Sequence, residues 1–503
     1  MGFNFNKNSF GEFTKQNDGR AVLYKNIPCD TLTPILAYLK ISKEKEFENH
    51  NFLFESAEKA KNKSRFSVIG LDPDLLWKVK GGKSFINRAF NKNPDDFESE
   101  GGDVIGNLRK LIQESEINWE NLSYNSKELP AICSGIFGYM NYDMVRSMEN
   151  IGNNNLPDET GIADSIFIRP QIIVIFDSLF DNCLICAPCF NEPNYDDLVS
   201  KIENVENILS SKLVEEDEDA GDFKFDFTSN YDKAEYEETV LKAKEYIKSG
   251  DVFQVLPSQR FTSKYPKEIS EFAFYRVLRS INPSPFLFFL KLEDFALSGS
   301  SPEIMVSCEN KKVTIRPLAG TRKRGKNSAE DALIAKELLA DEKEVAEHLM
   351  LIDLGRHDVG RVCKDSSVVL TEKMIIEYYS HVMHISSNVE GILRDDLDSL
   401  DALISGFPAG TVSGAPKIRA MEIIEELEKI KRSFYAGCVG YFASNGDMET
   451  CITLRSSLIK DNKIYLQAGA GVVYDSDPES EYFECYSKAS ALIKACEKLV
   501  NNS

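Results

Sequence analysis

The succession of β-rich runs constrains the fold more than any single motif. Beyond residue 250, short runs follow one another at 252–261, 285–298, 304–316 and 366–389, with a long helical segment expected at 329–355. Further strands are expected at 435–443, 450–459 and 463–474, after a helix at 233–249 and before a closing helix at 478–500. Ser476 or Asp477 can cap that last helix, and Pro478 suits its first turn. Residues 21–210 mix both types, with a strand at 172–176 and an amphipathic helix around 107–112. Strands and helices do not alternate strictly, which disfavours a doubly wound parallel sheet. The expectation is an α+β fold with a mixed or largely antiparallel sheet and packed helices. The acidic run at 214–222 has no apolar period and reads as a linker, which places a boundary between regions 1–224 and 225–503.

Charge narrows the function classes. The 59 Lys and Arg against 80 Asp and Glu leave a net −21, which argues against nucleic acid and against an anionic membrane surface. No run of 18 apolar residues exists, and the polar N-terminus lacks an apolar signal core. Met1-Gly2 has Asn6 where a myristoylation signal needs Ser or Thr. The 11 scattered cysteines read as free thiols in a reducing compartment, so a cytoplasmic protein is expected.

Several motifs fail on inspection. Gly82-Lys83-Ser84 has Trp77 where a phosphate-binding loop needs its opening glycine, and reads as a turn between strands. Cys183, Cys186 and Cys189 have cluster-like spacing without a fourth cysteine and read as buried strand thiols. Glu344 stands where a zinc-hydrolase helix needs His, and Gly437-Cys438 lacks the spacer of a glutaminase nucleophile elbow.

A constellation survives. Four of the five histidines lie between 348 and 384. Glu344 and Glu347 share one helix face, as do Glu481, Glu484 and Lys488 on the last helix. Two carboxylate pairs on distant helices suit Mg²⁺, which prefers oxygen ligands. The glycine-rich turn Gly406 to Lys417 offers backbone N–H groups, Gly469-Ala470-Gly471 permits close backbone approach, and Arg455 and Lys488 supply positive charge. Together these describe a metal-assisted site for a small polycarboxylate.

Ordered blocks extend this reading. They are Gln254-Val-Leu-Pro-Ser-Gln-Arg260, Ser301-Pro-Glu303, Pro317-Leu-Ala-Gly-Thr-Arg322, the helix stretch Asp341 to Met350, Tyr379 to His384, Phe407 to Lys417, and Gln467-Ala-Gly-Ala-Gly471. In these the chain resembles anthranilate synthase component I, of the chorismate-utilising enzymes. The resemblance implies two orthogonal antiparallel sheets flanked by helices, and conversion of chorismate and ammonia to anthranilate and pyruvate with Mg²⁺. It implies Glu347 and Glu484 as Mg²⁺ ligands, with Glu344 and Glu481 holding metal waters. Glu303 corresponds to the general acid, His384 to a residue on the leaving-group side, and Thr411 and Lys488 complete the catalytic set. Arg455, Tyr435, Lys488, Thr411, Gly469 and Gly471 correspond to the carboxylate-binding set, with Gln254, Ala319, Gly320, Thr321 and Ala470 around the substrate.

Gln254 replaces the Lys of relatives that activate water, and Ala319 the nucleophilic Lys typical of aminodeoxychorismate synthases, the nearest alternative. Without a glutaminase elbow, ammonia is expected from a separate glutamine amidotransferase subunit. Leu53-Phe54-Glu55-Ser56 resembles the family's feedback element. With Asn282, Pro285, Phe286, Leu287 and Cys451 it implies an L-tryptophan inhibitor pocket. Phe54, Phe286-Leu287 and His357 depart from the family pattern. Two readings from other classes are a ligand-binding paralogue, which the intact Glu303, Glu347, His384 and Glu484 disfavour, and a zinc hydrolase built on His381 and His384.

Overall fold

The computed structural model describes residues 2–56, 65–118, 123–124, 127–152, 156–191, 194–213, 221–379 and 382–501. Most of the expected linker, at 214–220, and His381 lie outside these residues. Every strand ladder among the described residues is antiparallel, and two long strands, Phe66–Lys80 and Ser165–Asp177, run through the whole arrangement.

Two ladders diverge from that pair. The first runs from Ala21–Pro28 and Asn182–Cys189 through the long pair. It continues across Asn51–Glu55, Phe286–Leu292 and Phe295–Ser301. It then adds Ser456–Lys460, Lys463–Gly469 and Ser258–Lys264. The second starts at Lys83–Asn87 and leaves the long pair through Gly135–Met140, Cys438–Ala443, Met448–Ile452 and Ile304–Glu309. It ends at Lys312–Ile315 and Leu318–Lys323, both paired with Val382–Ile392, whose other edge carries Val369–Tyr378. In each ladder a block of strands from before residue 225 meets a block from after it, at Asn51–Glu55 with Phe286–Leu292 and at Gly135–Met140 with Cys438–Ala443, so the two sequence regions share both sheets.

The long strands change ladder at a defined point. Their register shifts between Pro73 and Leu75, leaving Asp74 as the extra residue of a bulge beside Asp72, whose φ is +52°. The buried Arg169 closes on Asp74 with Nε at 2.9 Å and Nη2 at 2.6 Å, and its guanidinium lies 4.3 Å from the Phe190 ring. One apolar core follows the first ladder. A second lies between the other ladder and the helices Val104–Glu114, Glu342–Val362 and Ser399–Gly406. Glu271–Ile281 and Pro478–Asn501 pack over the far end of the first ladder.

Element types match the expectations, while several boundaries move. The long helix expected at 329–355 is two, Ser328–Ala340 and Glu342–Val362. Asp341 divides them because its carboxylate accepts from the N–H groups of Lys343 and Glu344, which starts a new helix. The run at 463–474 leaves its strand at Gly469, and the run at 435–443 enters its strand only at Cys438. Asp477, rather than Ser476, caps the closing helix through Ser480 N–H at 2.9 Å. Gly82-Lys83-Ser84 is a hairpin turn, and Cys183, Cys186 and Cys189 are buried strand thiols. No helix among the described residues is long and apolar enough to cross a membrane.

Replacing Asp74 by Ala leaves Arg169 buried without its partner. An unpaired buried charge costs about 3 kcal/mol, so Asp74→Ala is expected to lower stability by that amount. A denaturant titration checks it, and an unchanged midpoint would refute the role given to this pair.

Candidate active site

Two side chains of the expected site stand where the chain crosses between ladders. Glu303 lies between Phe295–Ser301 of the first ladder and Ile304–Glu309 of the second. Arg455 lies between Met448–Ile452 of the second and Ser456–Lys460 of the first, with φ at +49°. The crossings are tied together, since Ile452 N–H donates to Glu303 O at 3.0 Å and Ser300 N–H donates to Arg455 O at 3.1 Å.

Glu303 is buried. Its Oε1 accepts from Thr411 Oγ1 at 3.0 Å and from Leu318 N–H at 3.4 Å. Burial pushes its pKa up to about 8, against the opposing effects of the Thr411 and Leu318 bonds and the charges of Arg455 and Lys488. The carboxyl is therefore largely protonated at neutral pH and able to donate a proton.

His384 faces Leu318–Lys323 across the ladder. A register shift between Ala319 and Thr321 leaves Gly320 at φ +61°, a conformation glycine adopts freely. His384 Nδ1 lies 3.2 Å from Gly320 O and 3.0 Å from Thr321 Oγ1. A carbonyl only accepts, so that bond places the proton on Nδ1 and leaves Nε2 as an acceptor. Nε2 is buried without a partner among the described residues. Burial, with Arg455 nearby, lowers the His384 pKa to about 4 and keeps the ring neutral.

The polar wall comes from the closing helix and the Gly469 turn. Lys488 Nζ donates to Gly469 O at 3.0 Å and meets Glu484 at 2.8 Å. Tyr435 is buried beside them, and both Gly469 and Gly471 are packed tightly by the protein itself. A Cβ on Gly469 would come within 2.8 Å of Pro257 O and 3.1 Å of Tyr435 Oη, and one on Gly471 within 2.8 Å of Gln254 Nε2. Ala470 between them is buried. Gln254 Nε2 donates to Glu347 Oε1 at 3.0 Å, joining this wall to the acidic one.

The acidic wall joins the helices Glu342–Val362 and Pro478–Asn501. The Glu347 pKa is raised by burial and by the charges of Glu344 and Glu484, against the Gln254 bond. That of Glu481 is raised by burial and by Glu484, against a Ser476 hydrogen bond, and its Oε2 is buried without a partner among the described residues. Glu344 is instead held by Arg322 Nη1 at 3.0 Å. Among the described residues no three such side chains converge into a closed metal cage. Mutually repelling carboxylates with an orphaned oxygen nevertheless fit a divalent cation, which would relieve both defects.

The histidines do not gather as their spacing in sequence suggested. His348 is buried in its helix with Nε2 2.7 Å from Ser387 Oγ, His357 is exposed, and only His384 joins the site among those described. The expected inhibitor residues form a separate group. Leu287 pairs with Glu55 on one side and with Ser300 on the other, and Phe286 pairs with Ser301. Glu55 accepts from Tyr275 Oη at 2.7 Å and Arg279 Nε at 2.9 Å. Ser56 Oγ is buried and unpartnered among the described residues, and Pro285 lies partly exposed just before the strand. Asn282 Nδ2 donates to Ser300 Oγ at 3.2 Å, and Cys451 pairs with Ile304, next to Glu303. Sequence reasoning missed Glu428 and Arg432, a buried ion pair behind Tyr435. The signal available was their i, i+4 spacing beside the apolar Phe434-Tyr435-Ala436.

The chorismate binding enzyme family matches residues 52–494. The chain is 44% identical to anthranilate synthase component 1 of Cereibacter sphaeroides, over 95% of this chain and 94% of that protein. It is 42% identical to that of Acetivibrio thermocellus, over 91% and 92% of the two chains. The crystal structure of anthranilate synthase component I from Streptococcus pneumoniae superposes with a TM-score of 0.76 at 34% identity, covering 93% of this chain and 99% of that one.

The Glu303 carboxyl is expected to titrate near pH 8. The infrared carboxyl band lost in Glu303→Gln should persist in the unsubstituted protein through pH 7 and fade only above it. Loss of the band near pH 5 would refute the burial argument.

Proposed function

The chain belongs to the chorismate binding enzyme family, among the anthranilate synthase component 1 proteins, and on that premise we propose that it converts chorismate and ammonia to anthranilate and pyruvate. The observation that carries the reading is a neutral, buried Glu303 facing the charges of Arg455 and Lys488. The two cations and Tyr435 bind the substrate carboxylates. Glu303, fixed by Thr411, donates its proton to the departing ring hydroxyl, which leaves as water. Ammonia attacks without a base, consistent with Gln254 being engaged as a donor to Glu347. Ala319 offers no competing nucleophile. The free Nε2 of His384 is suited to take the ring proton as pyruvate is eliminated and the ring becomes aromatic.

Glu347 and Glu484, with Glu344 and Glu481 beside them, would hold Mg²⁺. When bound it supplies a Lewis acid and an anchor for the ring carboxylate. The reaction is the first step of tryptophan biosynthesis, in the cytoplasm, with ammonia from a separate component II glutaminase. Regions 1–224 and 225–503 are read as the regulatory and catalytic parts, and the two ladders as orthogonally packed sheets.

Incubation with chorismate, ammonium and Mg²⁺ should yield fluorescent anthranilate. Accumulation of aminodeoxychorismate, identified by mass, would overturn the assignment. Glu303→Gln should lose about 10²- to 10⁴-fold in kcat. For the unsubstituted protein kcat/KM should fall as pH rises through about 8, because the acid form is then lost.

We read the group from Glu55 and Ser56 to Asn282, Pro285, Phe286, Leu287 and Cys451 as a tryptophan inhibitor site. The support is the continuous line from Glu55 through Leu287 to Ser300 and on to Arg455 O. Asn282→Ala removes a bond to Ser300 and is expected to weaken inhibition by tryptophan about tenfold, a coupling of ordinary size, while kcat without tryptophan stays close to the parent's, since Asn282 bonds to none of the reacting groups. Equal sensitivity in both proteins would refute the coupling.

A further inference from the structure

We propose that Glu428 and Arg432 form a clamp that positions three segments of the active site against one another. Both side chains are buried. The helix Lys417–Leu427 ends before Glu428, so this is not a pair displayed on a helix surface. Arg432 Nε donates to both Glu428 oxygens at 3.1 Å, and Nη2 donates to Oε1 at 2.7 Å.

The remaining donors and acceptors leave the pair for other segments. Arg432 Nη1 donates to Val412 O at 2.7 Å, and Nη2 donates to Leu256 O. Glu428 Oε1 accepts from Ser258 N–H and Ser258 Oγ, both at 2.8 Å. Val412 follows Thr411, the residue that holds Glu303. Leu256 and Ser258 follow Gln254, and Ser258 pairs in register with Gly469, the residue bonded by Lys488. The Arg432 guanidinium also lies 5.6 Å from the Tyr435 ring and 4.9 Å from that of Tyr142. A second buried arginine extends the frame, since Arg260 Nη2 donates to Lys431 O at 2.7 Å and Arg432 O at 3.0 Å, and Nε donates to Gln467 Oε1 at 3.0 Å.

Stability alone does not account for such a pair. Apolar residues of similar volume commonly serve a buried site as well as an ion pair does. What they cannot supply is a planar fork that orients two carbonyls from different segments while holding a carboxylate that ties down one of those segments again at Ser258. Arg432 and Glu428 are thus positioning residues. They act through Thr411 on Glu303, and through the 254–258 segment on Gln254 and the Gly469 turn.

This inference rests on the anthranilate-forming reading, and the unsubstituted protein assayed alongside separates the two. If that protein makes no anthranilate, the reading fails. If it does, the clamp is judged on the variants. The double variant Glu428→Leu with Arg432→Met should stay folded by circular dichroism and thermal melting. It should lose about 100-fold in kcat, the scale of a small misplacement of reacting groups. The upper limb of its pH profile should also move, as the Thr411 bond to Glu303 is disturbed. Arg432→Lys keeps the charge but not the fork, and should show a smaller loss with the same displacement. A folded double variant with unchanged kcat and pH profile would overturn the proposal. So would outright unfolding of the double variant, since the pair would then be holding the fold.

Discussion

The antiparallel pairing of Phe66–Lys80 with Ser165–Asp177 is the contact on which the architecture depends. Among the described residues no other strands belong to both ladders as neighbours along their length, so this pair sets how one sheet departs from the other. The bulge at Asp74 redirects the chain, and the Arg169 ion pair fixes the bend where two prolines, Pro73 and Pro170, cannot contribute ladder N–H groups. Once the ladders separate, the chain must cross between them again further along. Glu303 and Arg455 sit at two such crossings, where backbone leaves regular pairing and side chains from both sheets meet.

The site inverts the charge of the molecule. A net −21 would repel an anionic substrate, yet a crossing brings Arg455, and the closing helix Lys488, beside a carboxyl that burial holds largely neutral. The remaining acids stand on a separate wall, where the proposed divalent cation would turn repulsion into an anchor. The cost appears as a linkage. Because the folded pKa of Glu303 is raised, its contribution to stability is fully present below about 4.5 and is lost as pH rises through about 8. A carboxyl that burial keeps protonated at neutral pH is therefore also one that weakens the fold under alkaline conditions.

Much of this was legible in the sequence where the determinants are local. Strand and helix types through residues 233–500, the cap at Asp477 and the buried cysteine strand follow from pattern and turn chemistry. The ordered blocks located Glu303, His384, Thr411 and Lys488 in one neighbourhood. The helix break at Asp341 was missed because apolar periodicity runs through it, although an aspartate followed by two accessible N–H groups is a sufficient stop and start. The histidine cluster was misleading since a helix turns His348 into the core and His357 to solvent. Arg432 stayed invisible for another reason. Its partners at Leu256 and Val412 are far away in sequence, and no periodicity reports a contact that only the assembled ladders create.

If the proposed inhibitor site is occupied, the same crossings offer it a route to the chemistry between the ladders. In the proposed inhibitor site, Glu55, Leu287 and Ser300 are cross-strand neighbours, and the line ends on the backbone of Arg455 rather than on its side chain. Arg455 occupies a left-handed conformation that a non-glycine residue holds only when its surroundings impose it. The Ser300 bond is one of those constraints. A ligand that shifts the Asn51–Glu55 edge by a few tenths of an ångström therefore need not reach the substrate to weaken its binding. It need only relax the constraint on one backbone carbonyl, and the guanidinium moves with it. Control by this route would raise the substrate requirement while leaving Glu303 and Thr411 in place, so feedback would act on binding before it acted on proton transfer.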